Sequence, residues 1–248
     1  MSLQKGFFFV QSSNPNLPPE EWTLVYKKTT AGAYSENLGW GKYKVVMSGG
    51  GGSGAAMIRD STEHGMEFVY CQNGFAGAER TVLLDVLSDE TKTFSGTVGS
   101  GGSGSTVKLT RAGSSAGGSA TYGTVGTGYA NGATANRKYE YSDTLSSLSA
   151  NAGAWVGGSG GGSTSLLVDG VLSATAAGGN GGGARVNYSG YKTSDGGAGG
   201  SGGTTSGTGA TGGANVSAKV SSTTTKTSGN GAAGYIRIYK SNLKPEPL

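Results

Sequence analysis

One cysteine, one histidine and five prolines in 248 residues set the first limits on this chain. A lone Cys71 cannot close an internal disulfide, so no cystine scaffold holds the fold. With His64 as the sole histidine, the chain lacks the His/Cys clusters of zinc sites and any choice of base for a Ser-His-acid hydrolase. Too few prolines and no strict third-position glycine exclude collagen. No EF-hand loop, Walker lysine pattern or Asp-bearing nonapeptide repeat occurs, so neither a metal nor another cofactor is expected. The apolar run at residues 7–10 is too short for a secretion signal core and far too short to span a bilayer, and no membrane insertion is expected. The chain is therefore expected either to have lost a signal or to leave its cell by lysis. Charge is scattered: 19 basic and 15 acidic residues leave a net +4 with no basic stripe, and nucleic acid is not an expected partner.

What the sequence has instead is glycine, 50 residues of 248. The excess is uneven, because residues 1–47 contain only Gly6, Gly32, Gly39 and Gly41. Fixing a glycine in regular structure costs roughly 0.5–1 kcal/mol more than fixing alanine, so ordered tracts need dense contacts to offset the loss. Two conformations use glycine positively: turns with φ > 0, and polyproline II packing, where a missing Cβ lets backbones bond one another closely.

Residues 1–38 read as an N-terminal β and attachment segment, with Trp22, Leu24 and Tyr26 alternating after Pro18-Pro19. Residues 39–248 read as one glycine-rich domain. In it strands pass directly into glycine tracts: Tyr43, Val45 and Met47 alternate in GKYKVVM and continue into SGGGGSGAA. Two β-prone stretches flank a turn at residues 88–91 before TVGSGGSG. Asp169-Gly170, flanked by β-prone residues, is a strong hairpin signal. The tract at residues 196–213 has the length of a polyproline II rod of roughly 50 Å. Residues 81–87 could be helical by the spacing of Leu83, Leu84 and Leu87, but β-branched Thr81, Val82 and Val86 favour a strand. The fold class expected is all-β, with short strands, hairpins and packed glycine-rich polyproline II helices, and almost no α-helix.

Tyr43–Gly52, TVGSGGSG at residues 97–104, residues 155–183 and the closing GAAGYIRIY together resemble the glycine-rich domains of phage tail fibres and tail-tip adhesins. The segment GGSGGGSTSLLVDGVLSATAAGGNGGGA is also similar to the glycine-rich module of anaplastic lymphoma kinase family receptors. The tail-fibre resemblance implies polyglycine II rods as scaffold and the inserts between them as receptor-binding surface. It implies a virion protein acting outside the cell, with a bacterial surface protein or glycan, other tail-fibre proteins or copies of itself as partners. A structural surface or filament protein assembled through glycine-rich faces is the alternative, and an ice-binding face is a third.

Short chemical motifs occur but fail their context. GxSxG appears at residues 157–161 and 199–203, and GxGxxG at Gly49, Gly51 and Gly54, all within low-complexity glycine; no helix follows Gly54 to aim a dipole at phosphate. Glu20-Glu21, Glu63/Glu67 and Asp89-Glu90 are the carboxylate pairs a glycosidase would need, each in a polar stretch. No enzyme is expected. The inserts that break the glycine grammar are more informative. Residues 120–141 carry Tyr122, Tyr129, Arg137, Lys138, Tyr139 and Tyr141, and residues 185–192 carry Tyr188, Tyr191 and Lys192. Tyrosine mixed with Ser, Gly and Asn offers rigid contact area and adaptable hydrogen bonding, as in antibody paratopes. Tyr122, Tyr129, Arg137, Lys138, Tyr139, Tyr188, Tyr191 and Lys192 are the receptor-binding residues expected, with capping of a β layer as the competing reading.

Overall fold

The computed structural model describes residues 18–59, 66–111, 118–122, 153–188, 196–197, 203–219 and 223–245, and among these residues every regular element is a strand. The largest sheet is antiparallel with six strands in the order β1-β17-β2-β5-β9-β10. These are β1 (Trp22–Lys28), β2 (Gly32–Ser48), β5 (Glu79–Val98), β9 (Thr164–Val168), β10 (Val171–Ala176) and β17 (Tyr235–Ser241). β2 and β5 form a long ribbon in which Ser48 pairs with Glu79 at one end and Gly32 with Val98 at the other. Yet the Thr164 hydroxyl touches both ends: Oγ1 donates to the Ser48 carbonyl at 2.6 Å and accepts from the Gly99 amide at 3.0 Å. The ribbon is therefore folded in two, at the register shift between Gly39 and Gly41 and around Asp89, whose φ of 68° is left-handed. Its halves become the facing layers of a sandwich.

Alternation fills the space between the layers. Tyr43, Val45, Met47, Val86, Ile236 and Ile238 from one layer meet Tyr34, Phe94, Val98 and Leu166 from the other, all buried. The Tyr43 and Phe94 rings meet edge to face with centroids 5.6 Å apart. Each such side chain contributes roughly 1.5–3 kcal/mol of burial. Asp169 (φ 50°) and Gly170 (φ 78°) form the expected hairpin turn between β9 and β10. The turn at residues 88–91 is different. Asp89 does bend the chain, but the flanking stretches pair with β2 rather than with each other, because β2 supplies a longer apolar alternation than either could offer its neighbour. Residues 81–87 lie in β5 as strand.

Among the described residues, seven glycine-rich tracts lie beyond the sandwich, here rods 1 to 7 in chain order: residues 49–55, 72–78, 99–105, 157–163, 177–183, 207–215 and 228–234. Rod 1 is central and buried throughout. Its amides rotate through three partners with a period of three. Residues 49, 52 and 55 donate to Ala78, Phe75 and Gln72 of rod 2; residues 50 and 53 to Gly162 and Ser159 of rod 4; residues 51 and 54 to Ala232 and Gly229 of rod 7. Its carbonyls face the three directions between: Gly50 and Ser53 accept from Gly179 and Gly182 of rod 5, Gly51 from Gly102 of rod 3, and Gly52 from Gly213 of rod 6.

The six outer rods bond round the ring in the order 2-5-4-3-7-6. Phe75 donates to Asn180, Gly161 to Gly179, Gly162 to Ser100, Gly231 to Gly102, Ala232 to Thr211 and Gly74 to Gly213, with N···O distances of 2.8–2.9 Å. One rod inside six is hexagonal packing, with rods 2, 4 and 7 antiparallel to rod 1 and rods 3, 5 and 6 parallel to it. A three-residue period with extended backbone is polyproline II geometry, and seven residues at ~3.1 Å each make a shaft about 20 Å long.

Why glycine is needed here follows from two observations. The positive-φ glycines described are Gly32, Gly41, Gly96, Gly170 and Gly203, none of them within a rod, so conformational freedom is not what the rods use. What they use is the missing Cβ: one built on Gly50, Gly51, Gly52 or Gly54 would fall within 3.0 Å of the carbonyl of Ser100, Thr211, Asn180 or Ala214. Where a rod carries a buried hydroxyl instead, it is bonded. The Ser53 Oγ accepts from the Ser159 amide at 2.7 Å and Ser105 Oγ donates to the Gly157 carbonyl at 2.8 Å, while just ahead of rod 1, at the end of β2, Ser48 Oγ accepts from the Ala210 amide at 2.8 Å.

The far end of the shaft opens into three small sheets. β3 (Ala56–Arg59) lies between β15 (Val216–Lys219), parallel to it, and β8 (Gly153–Val156), antiparallel. β12 (Ala184–Tyr188) pairs with β4 (Met66–Cys71) and β13 (Gly196–Gly197); β6 (Thr106–Arg111) pairs with β7 (Gly118–Tyr122) and β16 (Thr223–Thr227). One expectation is revised in extent. The tract at residues 196–213 is not one straight rod: Gly196 and Gly197 pair with β12, and β14 (Gly203–Thr204) pairs with β11 (Gly178–Gly179) before rod 6 begins. No helix among the described residues is long and apolar enough to cross a membrane.

Candidate functional site

Two of the eight expected binding residues lie in the distal sheets. Tyr122 ends β7 opposite Val107, and Tyr188 ends β12 opposite Met66. Tyr129, Arg137, Lys138, Tyr139, Tyr191 and Lys192 lie outside the described residues. Topology nonetheless fixes where their segments start and finish. Residues 123–152 join β7 to β8 and residues 189–195 join β12 to β13, all distal strands. β8 touches both β7 and β12, so the two inserts spring from neighbouring strands. Residues 60–65, 112–117 and 220–222 also join distal strands, β3 to β4, β6 to β7 and β15 to β16. By contrast, the described connections at the sandwich end are tight turns, while β1 and β17, the first and last described strands, pair with each other there.

Two of the short motifs turn out to be used by the fold, and the GxSxG at residues 199–203 falls almost wholly outside the described residues. In the glycine run at 157–161, the Ser159 hydroxyl donates to the Ser103 carbonyl at 2.6 Å. In the run at 49–54, the amides that would cradle a phosphate donate instead to Ala78, Ala232 and Gly229. Among the carboxylates, Glu20 pairs with Lys42 at 3.4 Å and Glu90 with Lys92 at 3.5 Å. Among the described residues no group of three or more His, Cys, Asp or Glu is placed to hold a metal ion. Burial pushes the Cys71 thiol up to about 11, against a smaller lowering effect of the Val216 backbone.

A second surface was not foreseen from sequence. The two outer faces of the sandwich differ sharply. On one layer the outward-facing pairs are Ala33 with Thr97, Ser35 with Ser95 and Asn37 with Thr93, all small and uncharged. On the other, Leu24, Tyr239, Lys44 and Leu83 line up across β1, β17, β2 and β5, beside a row of Lys27, Arg237, Val46 and Thr81. Leu24 and Leu83 at the ends of the first row are 47% and 66% exposed. Lys44 Nζ sits 4.6 Å from the Trp22 ring and 5.2 Å from the Tyr239 ring, and the Arg237 guanidinium lies 4.4 Å over Tyr235. Such stacking holds long cationic side chains in place. The Tyr235 hydroxyl is pushed up to about 12, first by burial and then by its hydrogen bond and proximity to Glu79. The signal for this face was the alternation of ring and cation in YIRIYK, but its partners lie some two hundred residues away.

No family model, curated protein or solved structure matches this chain.

Proposed function

We propose that the chain is a receptor-binding tip of a phage tail fibre, in which the rod bundle is a rigid spacer and the distal inserts attach the virion to a bacterial surface. The observation that carries this reading is polarity. The first and last described strands pair at the sandwich end, whereas the two tyrosine-rich inserts begin and end at the opposite end of the shaft. A bundle with backbone hydrogen bonds in six directions resists bending, as a spacer requires. The cationic, aromatic face of the sandwich supports docking to an acidic companion protein of the fibre, since Trp, Tyr and Arg are the residues that dominate interface energetics. The filament alternative has less support, because the solvent-facing positions of rods 3, 6 and 7 carry side chains that keep other backbones away.

The test uses fluorescently labelled protein on a panel of bacterial strains. Wild type should stain a subset of strains; Tyr188→Ala, Tyr191→Ala and Arg137→Ala together should abolish staining with Tm unchanged, each central aromatic being worth roughly 2 kcal/mol or more. Undiminished staining by a folded triple variant, or loss of folding in it, would assign these residues to packing instead.

A further inference from the structure

Hexagonal rod packing has no intrinsic edge: every outer rod offers amides and carbonyls to a further rod, as an open β-sheet offers its edge strand. The structure points to how this chain ends the lattice. On rod 6 the amides of residues 209 and 213 donate into the bundle, to Gly77 and Gly52, while those of Thr208, Thr211 and Ala214 face outward with no acceptor among the described residues. On rod 7, residues 228, 231 and 234 donate to rod 3 and residues 229 and 232 to rod 6, leaving Asn230 and Ala233 in the outward phase. On rod 3 the outward phase is Ser100 and Ser103, and on rod 2 it is Asn73 and Ala76. Every exposed residue of the seven rods carries a Cβ, Ser100, Ser103, Thr208, Thr211, Ala214 and Ala232 among them. On rod 4, by contrast, the corresponding residues 157 and 160 are glycine, and both are buried.

We propose that these outward side chains are stops that prevent lateral pairing of one bundle with another, and that without them the facet formed by rods 6 and 7 docks a second copy of this chain. The occupant follows from the facet's chemistry. Residues 207–215 and 228–234 contain no charged residue, so two copies meet without repulsion. The bundle already accommodates antiparallel neighbours, as rod 1 has in rods 2, 4 and 7, so a two-fold pairing of equivalent facets uses contacts the fold itself contains. A Cβ on an exposed rod residue holds a further backbone beyond hydrogen-bonding reach; inside the bundle a Cβ meets the rod beside the one its amide meets, as at Gly52, whose amide reaches Phe75 of rod 2 and whose Cβ would strike the Asn180 carbonyl of rod 5. This inference is independent of what the distal inserts bind.

The experiment is sedimentation of the full chain carrying Thr208→Gly, Thr211→Gly, Ala214→Gly and Ala232→Gly, leaving Asn230 because its Oδ1 accepts from the Gly104 amide. Wild type should sediment as a monomer and the variant at about twice that mass, with exchange at amides 208, 211 and 214 slowed. Thr208→Ser with Thr211→Ser keeps the Cβ atoms and should stay monomeric. If the fourfold variant fails to fold, Thr208→Gly, Thr211→Gly and Ala214→Gly together clear the edge of rod 6 alone and are read in the same way. A folded glycine variant that stays monomeric, or a serine control that dimerises equally, overturns the proposal.

Discussion

Gly52→Ala places a methyl group at the centre of the bundle, where six rods surround the backbone. The new Cβ would lie within 3.0 Å of the Asn180 carbonyl, and the nearest atoms are all backbone, which cannot swing aside. Rod 5 must shift, at a cost of about 1–3 kcal/mol for overpacking. The shift weakens the Gly52 bonds to Phe75 and Gly213, each worth about 1 kcal/mol net. Against this, alanine removes about 0.4–1 kcal/mol of unfolded-state entropy. The sum is a loss of roughly 2–4 kcal/mol, which for a chain of this size lowers Tm by about 4–16 °C. Gly181→Ala, whose Cβ would strike the Gly158 carbonyl, should behave similarly. Thr208→Ala on the outward face is the control and should stay within ~0.5 kcal/mol of wild type. Thermal unfolding followed by circular dichroism decides it. If Gly52→Ala and Thr208→Ala unfold together, close rod packing is not what the glycines provide.

Two further outcomes follow from titratable groups. Because folding raises the Tyr235 hydroxyl from 10.0 to about 12, the neutral phenol contributes stability that is complete below the unfolded value and is lost as pH climbs toward the folded one; Tyr235→Phe should flatten that alkaline loss, read from urea midpoints across the range. Cys71, held near 11 mainly by desolvation, should react with iodoacetamide on the order of a hundredfold more slowly in the native state than in denaturant at mildly alkaline pH, and equal rates would contradict its placement.

The sequence made some of this legible because the relevant signals are local. Strand alternation in GKYKVVM, the Asp169-Gly170 turn and the abundance of glycine without proline pointed to strands, a hairpin and close-packed extended tracts. The folding of the β2–β5 ribbon was not legible, because nothing at Gly39–Gly41 or Asp89 states that the two ends of one ribbon rejoin at Thr164. Nor was the sequence enough to order the rods. Rod 1 differs from the others by having glycine at residues 49–52 without interruption, but its six neighbours come from chain positions scattered between residues 72 and 234. The three-residue spacing of Ser100/Ser103 and of Thr208/Thr211/Ala214 was present all along and carries direction only once the bonding phase of each rod is known. As for the binding residues, Tyr122 and Tyr188 root at the distal end, and the remaining six fall outside the described residues.

Amide hydrogen exchange resolved residue by residue along the rods tests the hexagonal bundle most directly. Rod 1 amides at residues 49–55 should be protected without a break, since each one donates to a neighbouring rod. Rod 7 should show protection interrupted at every third residue, with fast exchange at Asn230 and Ala233, and rods 3 and 6 should show fast exchange at Ser100, Ser103, Thr208, Thr211 and Ala214. Protection alternating with a period of two would mean that the tracts are sheet strands, and uniformly fast exchange would mean that they are loops; either result would contradict the account.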